Sequence, residues 1–555
     1  MLPPARSVPS DPPPAPAAAS CECDPPSHGC VPACDAIHRR RQTLRAGEGA
    51  LVPPAETRTS SDRKAPAPTP KEDGWSKPNR EVAPTSHVSE VPVNRPVLIP
   101  LLFVVAACTS TNANRARSFE READEIRNTL YIPGMSVAIV QNQKVLWTRG
   151  FGYADLEKKV PATPDTLYSV ASVTKTFGST LLMQLVEKGE VALDEPIAKY
   201  PPSRYADAIT NERVQIRHIL SHTSEGTPGE RFSYNGNIYD AITSVIEKKY
   251  GAPFRDVLTR QILDPLQMTE SVPGHNVIDD PELARRYAPA LARFATPYTL
   301  YGNGEIIRDN YPSKDIGASA GLLSTVRDLA KYDVAIDRHV LLQSKTQQLA
   351  WTPFLSNAGK PLPYGLGWFV GDYRGERLVW HSGNWGHGFS ALYVKVPARN
   401  LSMILLANSE ALSDPFWVPG ETNPFICSFL RHFVFNGDDS CKEAAQGAMN
   451  KWLEGRAARA EPTITLDEAV LASYAGEYQL SEKRTHTVTR EGTHIFIDIP
   501  RKGDRSEMFA SPKGDFFFKL PTTTRVRFLR EGAAVTGLEF GFGEGEAPIQ
   551  AKKIR

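Results

Sequence analysis

The sequence predicts an α+β domain followed by a small all-β barrel or sandwich, both behind a long segment that does not pack. Three observations carry this. Helical and strand patterns are mixed from about residue 118 to 456. From Ala472 onward only short alternating strands recur, at regular spacing and with turn residues between them. Of the 46 prolines, 20 fall in the first 100 residues. A chain of 555 residues also exceeds what one hydrophobic core spans. Hydrophobic residues at 41% and charged residues at 23% are globular proportions. With 64 basic against 63 acidic side chains, a net charge of +1 leaves no footprint for nucleic acid. Seven cysteines are too few for a disulfide scaffold, and no apolar run reaches the length of a membrane span.

In chain order, residues 1–92 include Asp11–Ala19 (DPPPAPAAA) and Ala65–Pro70 (APAPTP), which have no hydrophobic period. Cys21, Cys23, Cys30 and Cys34 lie there beside His28 and His38, in spacings that match no common zinc frame. Val97–Ala107 (VLIPLLFVVAA) is apolar, too short to cross a bilayer, and runs into Cys108. It fits a lipoprotein-type signal over 93–108, with Cys108 as the lipidated first residue. Translation is then expected to start near Val91 or Val93, with residues 1–92 absent from the cellular protein. The expected location is the bacterial envelope, periplasmic and anchored to a membrane through Cys108. The competing reading of the run is a short buried strand.

Glu120–Leu130 reads as a short charged helix, and Met135–Gln141 with Lys144–Arg149 as a hairpin around a polar turn. After a linker at Ala457–Leu466 comes the second part, 467–555. Its strands are expected at Thr485–Arg490, His494–Ile499, Asp515–Lys519, Arg525–Leu529 and Val535–Phe540, with turns at Glu491-Gly492 and Lys513-Gly514.

The strongest chemical signal is Ser172-Val173-Thr174-Lys175. Phe177, Leu181, Leu182, Leu185 and Val186 follow at helical spacing until Gly189, so Ser172 opens a buried helix. Lys175, three residues on, projects from the same face. A serine hydroxyl is a poor nucleophile until a base removes its proton, and a lysine serves only where its neutral form is accessible. The helix N-terminus adds partial positive charge for an oxyanion. Two further motifs accompany this pair. Phe232-Ser233-Tyr234-Asn235-Gly236-Asn237 follows a Pro-Gly turn, and His381-Ser382-Gly383-Asn384 precedes the strand-like Phe389–Val396. The glycine there lets a strand approach the nucleophile closely enough to supply a second oxyanion N–H.

In this order the three motifs resemble the serine β-lactamase and penicillin-binding superfamily, in its class C-like branch. Leu220–Ser224, Gly321–Thr325 with Arg327–Leu329, and Tyr364–Trp368 extend the resemblance, which runs over about 118–455. It implies a β-lactamase-like antiparallel sheet flanked by helices plus a mostly helical subdomain. The tail is similar to a lipocalin-like β-domain. Carried over by position, Ser172 is the acylated nucleophile, and Lys175 and Tyr234 share proton transfer. The N–H groups of Ser172 and Asn384 form the oxyanion hole. His381 stands where β-lactamases carry lysine, and is expected at the substrate with Gly383, Asn235, Asn237 and Trp385. No cofactor or metal is implied; the partner is a small ester, peptide or lactam.

The chain departs from the family at Gly236, which replaces the asparagine of Tyr-x-Asn. The lost amide shifts the expected reaction from β-lactamase toward a carboxylesterase or a D-amino-acid peptidase, unless Asn235 or Asn237 replaces it. A rival reading is a catalytically silent relative that binds cell-wall peptide or a protein partner. Gly317-Ala318-Ser319-Ala320-Gly321 fits the nucleophile elbow G-x-S-x-G, but lacks the preceding hydrophobic strand. His218 and His222 share one helical face without the glutamate or third ligand of a zinc site, and His222 is expected to make a structural bond under the site. Cys427 and Cys441 are either a disulfide or two free thiols.

Overall fold

The computed structural model describes residues 99–555 except 201–208, 210, 303, 312–314, 387, 413–422, 459, 483, 500–503, 520–523 and 542–547. The Pro-rich segment 1–92, its cysteines and His387 therefore lie outside the described residues. All that follows belongs to the unit Asn94–Arg555.

Ile99–Thr129 is a single 31-residue helix. It joins the apolar run and the charged helix that composition had divided, because nothing between Cys108 and Phe119 is proline or glycine. The strand alternative for the run is thereby corrected to helix. The side chains up to 113, Cys108 among them, lie outside the described residues. Among the described residues no helix is long and apolar enough to cross a membrane.

Behind this helix stands a seven-stranded antiparallel sheet. Its spatial order is Val160–Pro161, Lys144–Asp155, Gly134–Gln141, Leu401–Ala407, Ser390–Val396, Glu376–Asn384, Phe369–Tyr373. The expected hairpin forms its first turn through Asn142 and Gln143, both left-handed at φ 51° and 62°. The neighbouring strands Gly134–Gln141 and Leu401–Ala407 are apolar on both faces, as a sheet covered by helices requires. Along Gly134–Gln141, Ala138 and Val140 face one core while Met135, Val137 and Ile139 face the other. The first core receives the helices Thr174–Glu187, Ala241–Tyr250 and Val326–Asp337; the second receives Ile99–Thr129 and Pro424–Phe433. Cys427 in that last helix is joined by a disulfide to Cys441, where the next helix begins.

The C-terminal part is a closed antiparallel barrel of eight strands, sealed where Tyr478 pairs with Lys553. His494–Ile499 falls where expected, and Arg484–Glu491, Arg525–Glu531 and Ala534–Gly541 run a little longer than expected. Asp515–Lys519 shortens to Phe516–Phe517, and the strands Gly476–Ser481, Asp504–Ala510 and Ile549–Lys553 had no expectation. The interior is filled with side chains such as Tyr478, Ile497, Phe516, Val526 and Leu538. Helix Glu468–Tyr474 closes one end, with Tyr474 stacked 4.1 Å from Phe528. The barrel meets the hairpin Tyr298–Arg308 of the first part: Lys519 Nζ bonds Glu305 at 2.7 Å and Phe517 stacks on Tyr301.

Candidate active site

Ser172 stands at the opening of the helix, as expected, in a short turn of its own. A 3-10 turn, Ala171–Val173, leads directly into Thr174–Glu187, and Gly189 leaves it at φ 69°. Ala171 is held left-handed at φ 46°, a conformation strained for any side chain beyond glycine. Thr174 Oγ1 donates to the Ala171 carbonyl at 2.7 Å, which helps to hold the turn. Ser172, the next residue, is at a helix start, where backbone N–H groups have no intrahelical partner.

Lys175 Nζ lies 3.2 Å from Ser172 Oγ and donates to the Ser319 carbonyl at 2.9 Å. The side chain is 1% exposed. Burial pushes its pKa down to about 7, against an opposing pull from Asp240. The rings of Tyr234 and Tyr239 flank the amine at 5.2 and 5.3 Å. Tyr234 shares a hydrogen bond with Ser172, and burial raises its phenol well above the ordinary value, so it stays protonated near neutrality. Ser172, Lys175 and Tyr234, predicted from three separate motifs, are thus brought together.

Beneath Tyr234 lies His222, ring to ring at 4.2 Å, in a left-handed conformation of its own. Its Nδ1 accepts the Asn235 N–H at 3.2 Å, which fixes the start of the tyrosine loop. Burial, Lys175 and His381 hold the ring well below its usual pKa, hence neutral. His218 faces elsewhere, its Nδ1 accepting the Gln215 N–H in a capping box. Among the described residues no group of three or more His, Cys, Asp or Glu side chains could hold a metal ion.

Strand Glu376–Asn384 delivers the third motif. Gly383 lies so close to the nucleophile turn that a Cβ there would stand 2.3 Å from the Val170 carbonyl and 3.2 Å from Ser172 N. Only glycine permits that approach, which sets Asn384 beside Ser172. The Asn384 side chain accepts from Gly386 N at 2.6 Å. His381 is turned inward. It is fully buried, its Nδ1–H donates to the Ser382 carbonyl at 2.6 Å, and its Nε2 accepts from the Tyr364 hydroxyl at 2.8 Å. Burial first, and Lys175 second, hold its pKa down to about 3. With both nitrogens spent and no exposed surface, it has no atom to offer a substrate; it anchors Tyr364 instead. Trp385 is half-buried against Tyr311, 5.4 Å away.

The two asparagines of the second motif flank Gly236 in different settings. Asn235 Oδ1 caps the short helix Gly236–Tyr239 by accepting from Asn237 N and Ile238 N, and its Nδ2 donates to Glu225. It is committed to that cap. Asn237 is exposed. At Gly236 a Cβ would lie 3.5 Å from Lys175 Nζ, so the position that faces the amine carries no side chain.

Asp240 escaped the sequence reading, and so did the role of Ser319. Ser319 is not a nucleophile elbow: its segment precedes the short strand Leu322–Ser324, its carbonyl holds Lys175, and its hydroxyl donates to Asp240 at 2.9 Å. Asp240 is buried and is the acidic group acting on Lys175. The signal for both was faint, a run of small residues at 317–321 and an aspartate one helical turn after Gly236.

A buried lysine against a serine at a helix start, a tyrosine on that serine and a glycine strand alongside form an arrangement able to carry out acyl transfer, in a sheet-and-helix scaffold. The Beta-lactamase family model matches residues 119–416, and the chain belongs to that family, the serine hydrolases that include the penicillin-binding proteins. It is similar to Penicillin-binding protein 4* of Bacillus subtilis (strain 168), 23% identical over 455 residues that cover 75% of this chain and 95% of the relative. Protein flp of Staphylococcus aureus (strain MW2) is 27% identical over 315 residues, 50% of this chain and 60% of that protein. Among solved structures, the octameric penicillin-binding protein homologue from Pyrococcus abyssi is 20% identical, covers 79% of this chain and 100% of its own, and gives a TM-score of 0.49.

Proposed function

We propose that the chain hydrolyses small carboxylic esters through an acyl-enzyme on Ser172, with amide and lactam substrates disfavoured. The observation that carries the reading is Lys175, buried 3.2 Å from Ser172 Oγ and half-neutral near pH 7. Lys175 takes the hydroxyl proton as Ser172 Oγ bonds to the substrate carbonyl carbon. The N–H groups of Ser172 and Asn384 receive the oxyanion. Tyr234 gives its phenolic proton to the departing alcohol and regains one from the Lys175 ammonium. Water then attacks the acyl carbon, with the same groups working in reverse, and Ser172 leaves protonated.

Ester preference rests on Gly236. An amide substrate buries a polar N–H and C=O beside the scissile bond, and a buried polar group without a partner costs roughly 1–3 kcal/mol. Asn235 is committed to its helix cap and Asn237 is exposed to solvent, so the position next to Lys175 holds no amide side chain. The Cys427–Cys441 disulfide supports an oxidising compartment, in keeping with a lipid-anchored periplasmic protein that begins at Cys108. N-terminal analysis of the native protein tests that part, and an intact residue 1 would sink it.

The substrate reading is tested by intact-protein mass spectrometry and turnover with p-nitrophenyl esters, nitrocefin and a D-Ala-D-Ala peptide. Ester turnover with an acyl adduct lost in Ser172→Ala is expected. Gly236→Asn should raise amide relative to ester turnover about tenfold, the worth of one good hydrogen bond. Equal wild-type turnover of peptide and ester would overturn the ester preference. No adduct with any of them would favour a binding protein.

A further inference from the structure

Position 236 is where a side chain would reach Lys175, and it is empty of one. The amine is nevertheless held, by the backbone carbonyl of Ser319, 144 residues away in sequence. What holds that carbonyl in place is visible. Asp240 comes one helical turn after Gly236, on the same face. It is 7% exposed, and its Oδ1 accepts from Ser319 N at 3.2 Å, Ser319 Oγ at 2.9 Å and Thr243 Oγ1 at 3.1 Å. Thr243 Oγ1 in turn accepts from Ala318 N at 2.8 Å. On the other side, Ala318 presses against Gly178 of the nucleophile helix, where a Cβ would come within 2.8 Å of it. At Gly317 a Cβ would stand 2.2 Å from Asp240 Oδ1, so only glycine lets the turn close on the carboxylate. The 317–319 turn is thus clasped between Asp240 with Thr243 and the helix that carries both Ser172 and Lys175.

We propose that Asp240, acting through Ser319, is a positioning residue for Lys175, in place of the amide side chain missing at 236. The proposal rests on the reading of Lys175 as the base for Ser172. Two effects are joined in it. The clasp aims the Ser319 carbonyl at Nζ, so the lone pair of the neutral amine is left for the Ser172 proton. The carboxylate also faces the ammonium that forms when that proton arrives. The other groups around Nζ are Tyr234, Tyr239, His222 and His381, the phenols held protonated and the imidazoles held neutral. Asp240 is the acidic member of the set, and it is the group that opposes the effect of burial on the amine.

The test is the rate of Ser172 labelling by an aryl phosphonate across pH, read as a midpoint and a plateau, in the full chain. Asp240→Asn keeps the shape but removes the charge. Lys175 then becomes a weaker base, its midpoint should fall by about one pH unit, and the plateau should drop several-fold. Asp240→Glu should recover the midpoint better than the plateau, since it restores charge but displaces the clasp. A residue that served only packing would lower the plateau with the midpoint unmoved, so an unmoved midpoint in Asp240→Asn overturns the proposal. Should Asp240→Asn lose cooperative unfolding, Ser319→Ala removes the hydroxyl bond alone. A lowered plateau together with a displaced midpoint there supports the clasp, and a midpoint unmoved from wild type overturns it. Absence of Ser172 labelling in the wild type itself would instead count against the function proposed above.

Discussion

Lys175 and Lys395 are both 1% exposed, yet the protein treats them in opposite ways. Lys395, on strand Ser390–Val396, bonds Asp333 at 2.5 Å, Asp337 at 2.8 Å and Ser402 Oγ at 3.0 Å. Burial pulls its pKa down, but the two carboxylates outweigh that and raise it above the ordinary value. Lys175 has a hydroxyl and a carbonyl as direct partners, with one carboxylate reached through Ser319, and burial wins. Depth alone therefore does not make a base. The number of anions within bonding distance decides whether a buried lysine is a structural cation or an amine able to take a proton.

Substitution should separate the two. The largest effect is expected at Lys175→Met, which should lower kcat/KM for ester substrates by roughly 10²- to 10⁴-fold, as loss of a general base does. Its urea midpoint should stay at or above wild type, because no ion pair is broken. Lys395→Met should show the converse. It strands the buried carboxylate of Asp333 and the partly buried one of Asp337, and should cost about 3–5 kcal/mol in urea unfolding. The midpoint of its activity–pH curve should stay where it was. A loss below 1 kcal/mol there would break the comparison. Lys519 gives the smallest member of the series. Its pair with half-exposed Glu305 joins barrel to hairpin, and Lys519→Ala should cost no more than about 1 kcal/mol.

How much of this was legible follows from the range of each signal. Ser172 and Lys175 share one helical turn, so spacing alone placed them together. The hairpin and the barrel strands with alternating apolar residues were readable for the same local reason. Asp504–Ala510 (DRSEMFA) and Ile549–Lys553 (IQAKK) carry too few inward apolar residues to announce a strand; pairing around the closed barrel makes them strands. The helix Ile99–Thr129 was divided by composition although no breaker interrupts it. His381 was expected at the substrate on resemblance, and its place is set by Tyr364, 17 residues earlier. Asp240 and Ser319 meet across 79 residues, and the serine's motif suggested another fold's chemistry. Long-range polar contacts leave no period in a sequence.

The central claim is that Ser172 is activated by a neutral, buried Lys175, and it can be tested without knowing the substrate. The second-order rate of phosphonylation of the wild-type chain, measured from pH 5 to 11 with the adduct mapped by peptide mass spectrometry, does so directly. The account predicts an adduct on Ser172 alone and a rate that rises with pH to a plateau through a midpoint near 7, where Lys175 loses its proton. An adduct on Ser319, or a midpoint above 10 as for an ordinary lysine, would contradict it.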